Sequence, residues 1–195
     1  MSRSFLFLLG TTRPGGNTEA LARLAADELP DDVRQTWLRL SDLEVEPFRD
    51  VRHDGDGVYP LPGGDHRMLL ETTLDATDLV IASPLYWFTV SASVKEYFDH
   101  WSGWMRVPGV DFRARMAGKT LWAVTAHTAK DLAEVEPMLG TLRLIADYLG
   151  MRWGGELLAY GNRPGEVLTQ EVGVRARGLF AESRTAQPDL KGRVA

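Results

Sequence analysis

The chain has 195 residues, of which 44% are hydrophobic and 25% charged, and these values fit one globular domain with a single core. Its formal net charge of -5 argues against a general phosphate-backbone binder, and no apolar run approaches the roughly 20 residues of a membrane span. The absence of cysteine excludes disulfides, thiolate zinc sites and cysteine-ligated iron–sulfur clusters. We therefore expect a cytoplasmic protein without a nucleic-acid or membrane partner.

Apolar segments alternate with helical patterns along the chain. The segment DLVIAS at 78–83 has the continuous apolar core of a parallel strand that is covered on both faces. Five strands are predicted, at 4–9, 36–40, 78–83, 119–125 and 152–160. This alternation predicts an α/β fold with a parallel sheet and right-handed crossovers, and such sheets bind ligands beyond the carboxyl ends of their strands.

Residues at helical spacing fill the gaps between the predicted strands. The first helix is expected to stop at Pro30, and Val94, Phe98 and Trp101 mark the face of another. A third is expected over 138–149, with Gly150 at its C-cap. Weaker patterns predict helices at 65–76 and 166–183, followed by a polar tail from 183. The absence of repeats and linkers predicts a single domain over 1–195.

The loop after the first predicted strand reads GTTRPGGNT, at 10–18. It lacks the Gly-Lys-Ser/Thr ending of a Walker A loop and the glycine spacing of a dinucleotide fingerprint. It offers side-chain donors from Thr11, Arg13, Asn17 and Thr18, together with the backbone N–H groups of a helix N-terminus. These groups favour a phosphate site, and the alternative is a simple helix cap by Asn or Thr.

The loop after the third predicted strand contains three consecutive aromatic residues, Tyr86, Trp87 and Phe88. Their side chains cannot all face one core, because side-chain directions diverge along any regular element. At least one is expected to be exposed or stacked, and a flat aromatic ligand at the sheet edge would explain that arrangement. The alternative is that these rings seal the core or a subunit contact.

Both loops resemble motifs of the NADPH-dependent FMN reductase family. Residues 10–18 are similar to its G-S/T-x-R-x-x-G-N-T phosphate loop. The segment from Ser83 to Asp99 resembles its S-P-x-Y-x-x-x-x-x-x-x-K-x-x-x-D segment, and the similarity extends from Ser4 to about Tyr160. The resemblance implies a flavodoxin-like three-layer sandwich with strand order 2-1-3-4-5, bound FMN, NADPH or NADH as co-substrate, and a homodimer or dimer-based oligomer.

The resemblance also implies which residues contact the cofactor. One group would surround the phosphate, a second would run along the isoalloxazine, and the loop after the fourth strand would approach the far side of the ring. In that order they are Thr11, Arg13, Gly16, Asn17 and Thr18; Pro84, Leu85, Tyr86, Trp87 and Phe88; and Thr125 and His127. A histidine at 127 departs from the glycines frequent in the family, and it would contact the pyrimidine edge, partly close the site or lie on the surface.

FMN would carry the redox chemistry, so no catalytic side chain is predicted, and Tyr86 and His127 are the first residues to mutate. The histidines show no metal-ligand spacing, so no metal is expected. The segment 48–65, rich in Gly and Pro, is interpreted as a mobile loop that covers the flavin of this or a neighbouring subunit. Alternative functions are a flavodoxin-type electron carrier, a quinone or nitroaromatic reductase, and a flavin-free interaction domain.

Overall fold

The computed structural model describes residues 2–181, so the predicted tail from 183 lies outside the described residues. Its sheet has the order β2-β1-β3-β4-β5, and every neighbouring pair is parallel, which confirms the predicted order. The strands are β1 Ser4–Leu9, β2 Arg34–Arg39, β3 Asp78–Ala82, β4 Thr120–His127 and β5 Arg152–Tyr160. The largest differences from the expected bounds are in β2, which starts at Arg34, and in β4, which continues to His127.

Six helices are described: α1 Asn17–Ala26, α2 Gly64–Asp75, α3 Ala92–Trp104, α4 Phe112–Met116, α5 Glu136–Tyr148 and α6 Gln170–Leu179. Short 3-10 turns lie at Leu40–Asp42 and Leu132–Glu134. The five-residue α4 was not predicted, because one turn of helix is too short to show a periodicity. Over residues 2–181 no helix has the length and apolar character needed to cross a membrane.

The three central strands are buried on both faces. In β1, Leu6 and Leu8 belong to the core under α2, α3 and α5, whereas Phe5 and Phe7 belong to the core under α1 and α6. This alternation follows from the two-residue period of a strand, and it explains why β1 is apolar throughout. The edge strands β2 and β5 are only partly buried.

The carboxyl ends of β1, β3 and β4 meet at one edge of the sheet. Gly10 donates its N–H to the carbonyl of Ala82 at 2.8 Å, and Ser83 donates to Val124 at 3.1 Å. A Cβ on Gly10 would lie 2.4 Å from Val94 Cγ2 and 2.5 Å from Ser91 Oγ. Only glycine allows this close approach, and the loop after β1 is thereby held against the start of α3.

Candidate functional site

A cavity of about 370 Å³ lies at this edge, between the loops that follow β1, β3, β4 and β5. Most of the residues predicted to bind the cofactor line it. They are Thr11, Arg13, Gly16, Asn17 and Thr18 from the loop after β1; Pro84, Leu85 and Tyr86 from the loop after β3; and His127 from the end of β4. Trp87, Phe88 and Thr125 are absent from its lining.

The N-terminus of α1 opens into this cavity without a side-chain cap. The N-cap residue is Gly16, and no side chain accepts a hydrogen bond from the first turn at that position. The simple helix cap by Asn or Thr is therefore not what the structure shows. Gly15 has φ of 63°, and a Cβ there would meet nothing within 4 Å, so its positive φ rather than crowding favours glycine. The first-turn N–H groups of α1 remain available to an anion.

Asn17 connects the loop after β1 to the loop after β5. Its amide Nδ2 donates to the carbonyls of Gly161 at 3.3 Å and Arg163 at 2.9 Å. Its Oδ1 accepts from the N–H of Gly165 at 2.8 Å. The side chain predicted to bind phosphate thus makes its hydrogen bonds to the protein, and it fixes a fourth wall of the cavity.

That fourth wall was not predicted from the sequence. Gly161, Asn162 and Pro164 line the cavity just after β5. A Cβ on Gly161 would lie 3.0 Å from Asn17 Nδ2 and 2.7 Å from Val167 Cγ1, so the close approach requires glycine. The available signal was topological, because the carboxyl end of β5 must lie at the same edge as those of the other parallel strands.

A buried carboxylate, Glu19, lies beneath the loop. It accepts hydrogen bonds from the N–H of Gly15 at 3.0 Å, from Arg23 Nη2 at 2.8 Å and from Arg39 Nη2 at 2.6 Å. Burial acts to raise the pKa of Glu19, but the hydrogen bonds from Arg39, Gly15 and Arg23 outweigh it and lower the pKa to about 2. Glu19 is therefore ionised at neutral pH. Neither Glu19 nor Arg39 was predicted as a site residue.

The three aromatic residues form a tight turn. Tyr86 and Thr89 exchange backbone hydrogen bonds of 3.0 Å in both directions. Between them, Trp87 and Phe88 have φ values of 49° and 65°, in the left-handed region that bulky side chains rarely adopt. Trp87 is 91% exposed, whereas Tyr86 lines the cavity, so the turn projects the indole beyond the cavity edge.

Thr125 and His127 lie on the same face of β4, but only His127, the last residue of the strand, lines the cavity. Thr125 is fully buried, and its hydroxyl lies 3.8 Å from Met138 Sδ in the core under α5. The structure therefore places the Thr125 side chain in the core and not in the cavity lining, because Thr125 lies two residues before the carboxyl end of β4. His127 is buried at the cavity, and its Nδ1 has no hydrogen-bond partner among the described residues.

The protonation state of His127 follows from its surroundings. Burial lowers the pKa of His127, a hydrogen bond with the Ala129 backbone acts in the opposite direction, and the charge of Arg175 lowers it further. The imidazole is thus neutral at pH 7. A neutral ring with one unpartnered nitrogen can exchange a hydrogen bond with the polar edge of a ligand.

The segment 48–65, predicted to be a mobile loop over the flavin of this or a neighbouring subunit, packs against α3 of its own chain and does not line the cavity. Phe48 donates its N–H to Glu96, and the rings of Phe48 and Tyr59 stack with centroids 6.2 Å apart. Tyr59 also lies against Gly103, where a Cβ would come within 2.9 Å of its ring. These contacts hold the segment against α3. They were not predicted, because Phe48 and Tyr59 lie in a segment that is otherwise rich in Gly and Pro. No cluster of potential metal ligands occurs among residues 2–181.

Comparison with known proteins agrees with this geometry. The model of the NADPH-dependent FMN reductase family matches residues 4–159. The chain is 30% identical to the Bacillus subtilis protein YwqN over 168 residues, which are 86% of this chain and 90% of that protein. YwqN is itself assigned by inference as an NAD(P)H-dependent FMN-containing oxidoreductase.

Solved structures share the fold. The Trp repressor binding protein of Bacillus subtilis is 25% identical, with a TM-score of 0.68 over 90% of this chain and 97% of the other. An FMN-dependent NADH-azoreductase of Bacillus anthracis, solved in complex with FMN, has a TM-score of 0.66 at 14% identity, over 92% of this chain and 98% of its own. The fold is flavodoxin-like, and the family match spans three of the four loops that form the cavity, those after β1, β3 and β4. The chain belongs to the NADPH-dependent FMN reductase family.

Proposed function

We propose that the chain binds FMN in this cavity and catalyses the transfer of hydride from NADPH or NADH to a flavin, quinone or similar small acceptor. One observation carries the proposal. A single cavity joins an uncapped helix N-terminus at one end to an aromatic turn and a neutral, partly unpartnered histidine at the other. This combination suits a ligand that carries a phosphate and a flat heterocycle.

The phosphate end fits an anion. The N-terminus of α1 carries roughly half a positive charge, and its first-turn N–H groups lack a side-chain partner. Arg13 lies on the cavity wall and adds a guanidinium, while the hydroxyls of Thr11 and Thr18 are buried beside it. Charge-assisted hydrogen bonds from these groups would fix the phosphate of FMN.

The opposite end fits a flat ring. Pro84, Leu85 and Tyr86 form one wall, and His127 faces the cavity from the end of β4. Its unpartnered Nδ1 is suited to a hydrogen bond with a polar ring edge, and a ligand there would satisfy this buried atom. Together these residues would orient the ring and exclude water from its covered face.

Bound FMN supplies a ring system that accepts and donates hydride, so the side chains are required to bind and orient rather than to act as nucleophile or general base. The exposed residues Trp87 and Phe88 directly follow Tyr86 of the cavity wall, and a nicotinamide or an acceptor could stack on their rings. Membership of a reductase family favours an enzyme over a flavodoxin-type electron carrier.

We also propose that the chain acts in the cytoplasm as a homodimer. The surface between α3 and α5 contains an apolar groove of about 310 Å³, bordered by Phe98, Trp101 and Ile145. Leu144 and Tyr148 beside it are 64% and 58% exposed. A second copy of the chain would cover these apolar side chains. Light scattering coupled to gel filtration tests this assignment, and a monomeric mass would contradict it.

The decisive experiment is spectroscopic. The protein is supplemented with FMN, passed through gel filtration and titrated anaerobically with NADPH and then with NADH. We expect a retained flavin band that bleaches with at least one nucleotide. A retained band that stays oxidised with both would support the carrier, and no retained flavin would support the flavin-free interaction domain.

A further inference from the structure

Arg39, the last residue of β2, lies outside the phosphate-loop motif and yet contacts that loop. Its Nη1 donates to the carbonyl of Thr11 at 2.7 Å and to that of Arg13 at 3.4 Å. Its Nη2 donates to Glu19 at 2.6 Å. The side chain is 12% exposed, so these bonds form in a partly dehydrated environment where charged hydrogen bonds are strong.

These contacts determine which backbone groups the loop can present to a ligand. An anion requires N–H groups directed towards it and carbonyl oxygens directed away. Arg39 binds two carbonyl oxygens of the loop, and through Glu19 it is linked to the N–H of Gly15. One guanidinium thereby holds the loop at both ends, at Thr11 and at Gly15.

The negative charge of Glu19 gives a second reason why Arg39 is needed beside the loop. Glu19 is an ionised, buried carboxylate directly beneath a loop proposed to bind a phosphate, and two negative charges in this position repel each other. Arg23 also binds Glu19, but its side chain is 52% exposed and therefore strongly screened by water. The buried Arg39 is better placed to neutralise Glu19 before the phosphate arrives.

We infer that Arg39 is a positioning residue for the phosphate group: it holds the loop after β1 in its anion-binding conformation and neutralises Glu19. The inference rests on the proposed binding of FMN. It predicts that Arg39 contributes to the affinity for FMN and not to the affinity for riboflavin, which has the same ring and ribityl chain without the phosphate.

The test compares Arg39→Met with Arg34→Met. Both variants lose one positive charge from β2, but Arg34 is exposed at the opposite end of the strand. Dissociation constants for FMN and for riboflavin are measured by flavin fluorescence, and folding is checked by thermal unfolding. We expect Arg39→Met to weaken FMN binding at least about tenfold while riboflavin affinity stays within about twofold, and Arg34→Met to leave both within about twofold.

A second variant covers the case in which Arg39→Met does not fold. Arg39→Lys keeps the charge beside Glu19 but lacks the fork that binds a carboxylate and a carbonyl together, so its FMN affinity should fall while riboflavin affinity is kept. Equal weakening of both ligands would show a merely structural role and overturn the inference. So would unchanged FMN affinity or an equal loss in Arg34→Met. A wild-type protein that binds neither flavin would instead overturn the proposed function.

Discussion

Two of the four loops that form the cavity, those after β1 and β3, are held in different ways. The loop after β1 is fixed by three side chains from two elements, Asn17 and Glu19 of α1 and Arg39 of β2. The turn after β3 is closed by the mutual backbone hydrogen bonds of Tyr86 and Thr89, and its three aromatic residues are exposed. The first region is organised before a ligand binds, whereas the second presents rings with few fixed partners. Affinity should therefore depend on the first region and turnover on the second.

Breaking the link between the loops after β1 and β5 is expected to have the largest effect. Asn17→Ala removes three hydrogen bonds, so we expect a loss of about 2 kcal/mol in the free energy of unfolding. FMN affinity should also fall, because the fourth wall of the cavity loses its attachment. Denaturant unfolding and fluorescence titration measure the two effects.

The control for this change is Asn162→Ala, which truncates an exposed asparagine of the loop after β5. It should change stability by less than about 0.5 kcal/mol. Equal stabilities for the two variants would mean that the three hydrogen bonds of Asn17 contribute nothing net, and that the firm attachment of this loop has another source.

Removing the guanidinium on the cavity wall should have an intermediate effect. Arg13→Ala is expected to weaken FMN binding about tenfold with little change in stability, because it deletes one charge-assisted contact to the phosphate. Arg177→Ala, on the exposed face of α6, is the matched change and should leave the dissociation constant unaltered. Unchanged affinity in Arg13→Ala would remove Arg13 from the site.

The aromatic turn is tested by two substitutions at one position. Trp87→Gly relieves a left-handed conformation that Trp87→Ala retains, so the glycine variant should be about 1 kcal/mol more stable than the alanine variant. Both should lower turnover, since both remove the exposed indole. Wild-type flavin binding and turnover in both variants would assign Trp87 a purely structural role.

The smallest expected effect is on the pH dependence of stability, and it comes from His66, which lies outside the loops after β1 and β3. Trp104 donates its indole N–H to His66 Nε2 at 2.8 Å, and burial together with the charge of His100 lowers the pKa of His66 to about 4. Below pH 6.5 the unfolded chain binds a proton that folded His66 does not, so stability is fully present above pH 6.5 and declines as the pH falls towards 4.

His66→Gln keeps a hydrogen-bond acceptor but cannot titrate, so its melting temperature should fall less steeply between pH 6.5 and pH 4. Part of the slope should persist, because burial also lowers the pKa of His100. Exposed His53→Gln is the control and should retain the wild-type slope. An identical slope in all three proteins would contradict the assignment to His66.

The sequence predicted those features whose signal is local. The predicted bounds of β1 and β5 match the observed ones, because the apolar pattern of a strand is contained within a few consecutive residues. The bounds of β2 were less accurate, since its first two residues, Arg34 and Gln35, are polar and exposed and show no apolar pattern. The motif at 10–18 placed Thr11 and Arg13 at the cavity for the same local reason.

The features of the site that the sequence did not predict depend on the tertiary structure. Arg39 binds a loop 26 to 28 residues earlier in the chain, and no spacing rule connects the two. Thr125 was assigned to the site because the loop after β4 was expected to start there, but β4 continues to His127 and Thr125 packs against Met138 in the core. The exposure of Trp87 depends on the left-handed turn, which a run of three aromatic residues does not predict.

The bonds of Asn17 also bear on the order of events during synthesis. They join residues 144 to 148 positions apart, so the loop after β1 gains this support only after β5 has been made and added to the sheet. Contacts of such long range form late, because the intervening chain must first be ordered. A nascent chain that ends before β5 would carry the whole phosphate-loop motif and still hold FMN weakly, which delays cofactor loading until the sheet is complete.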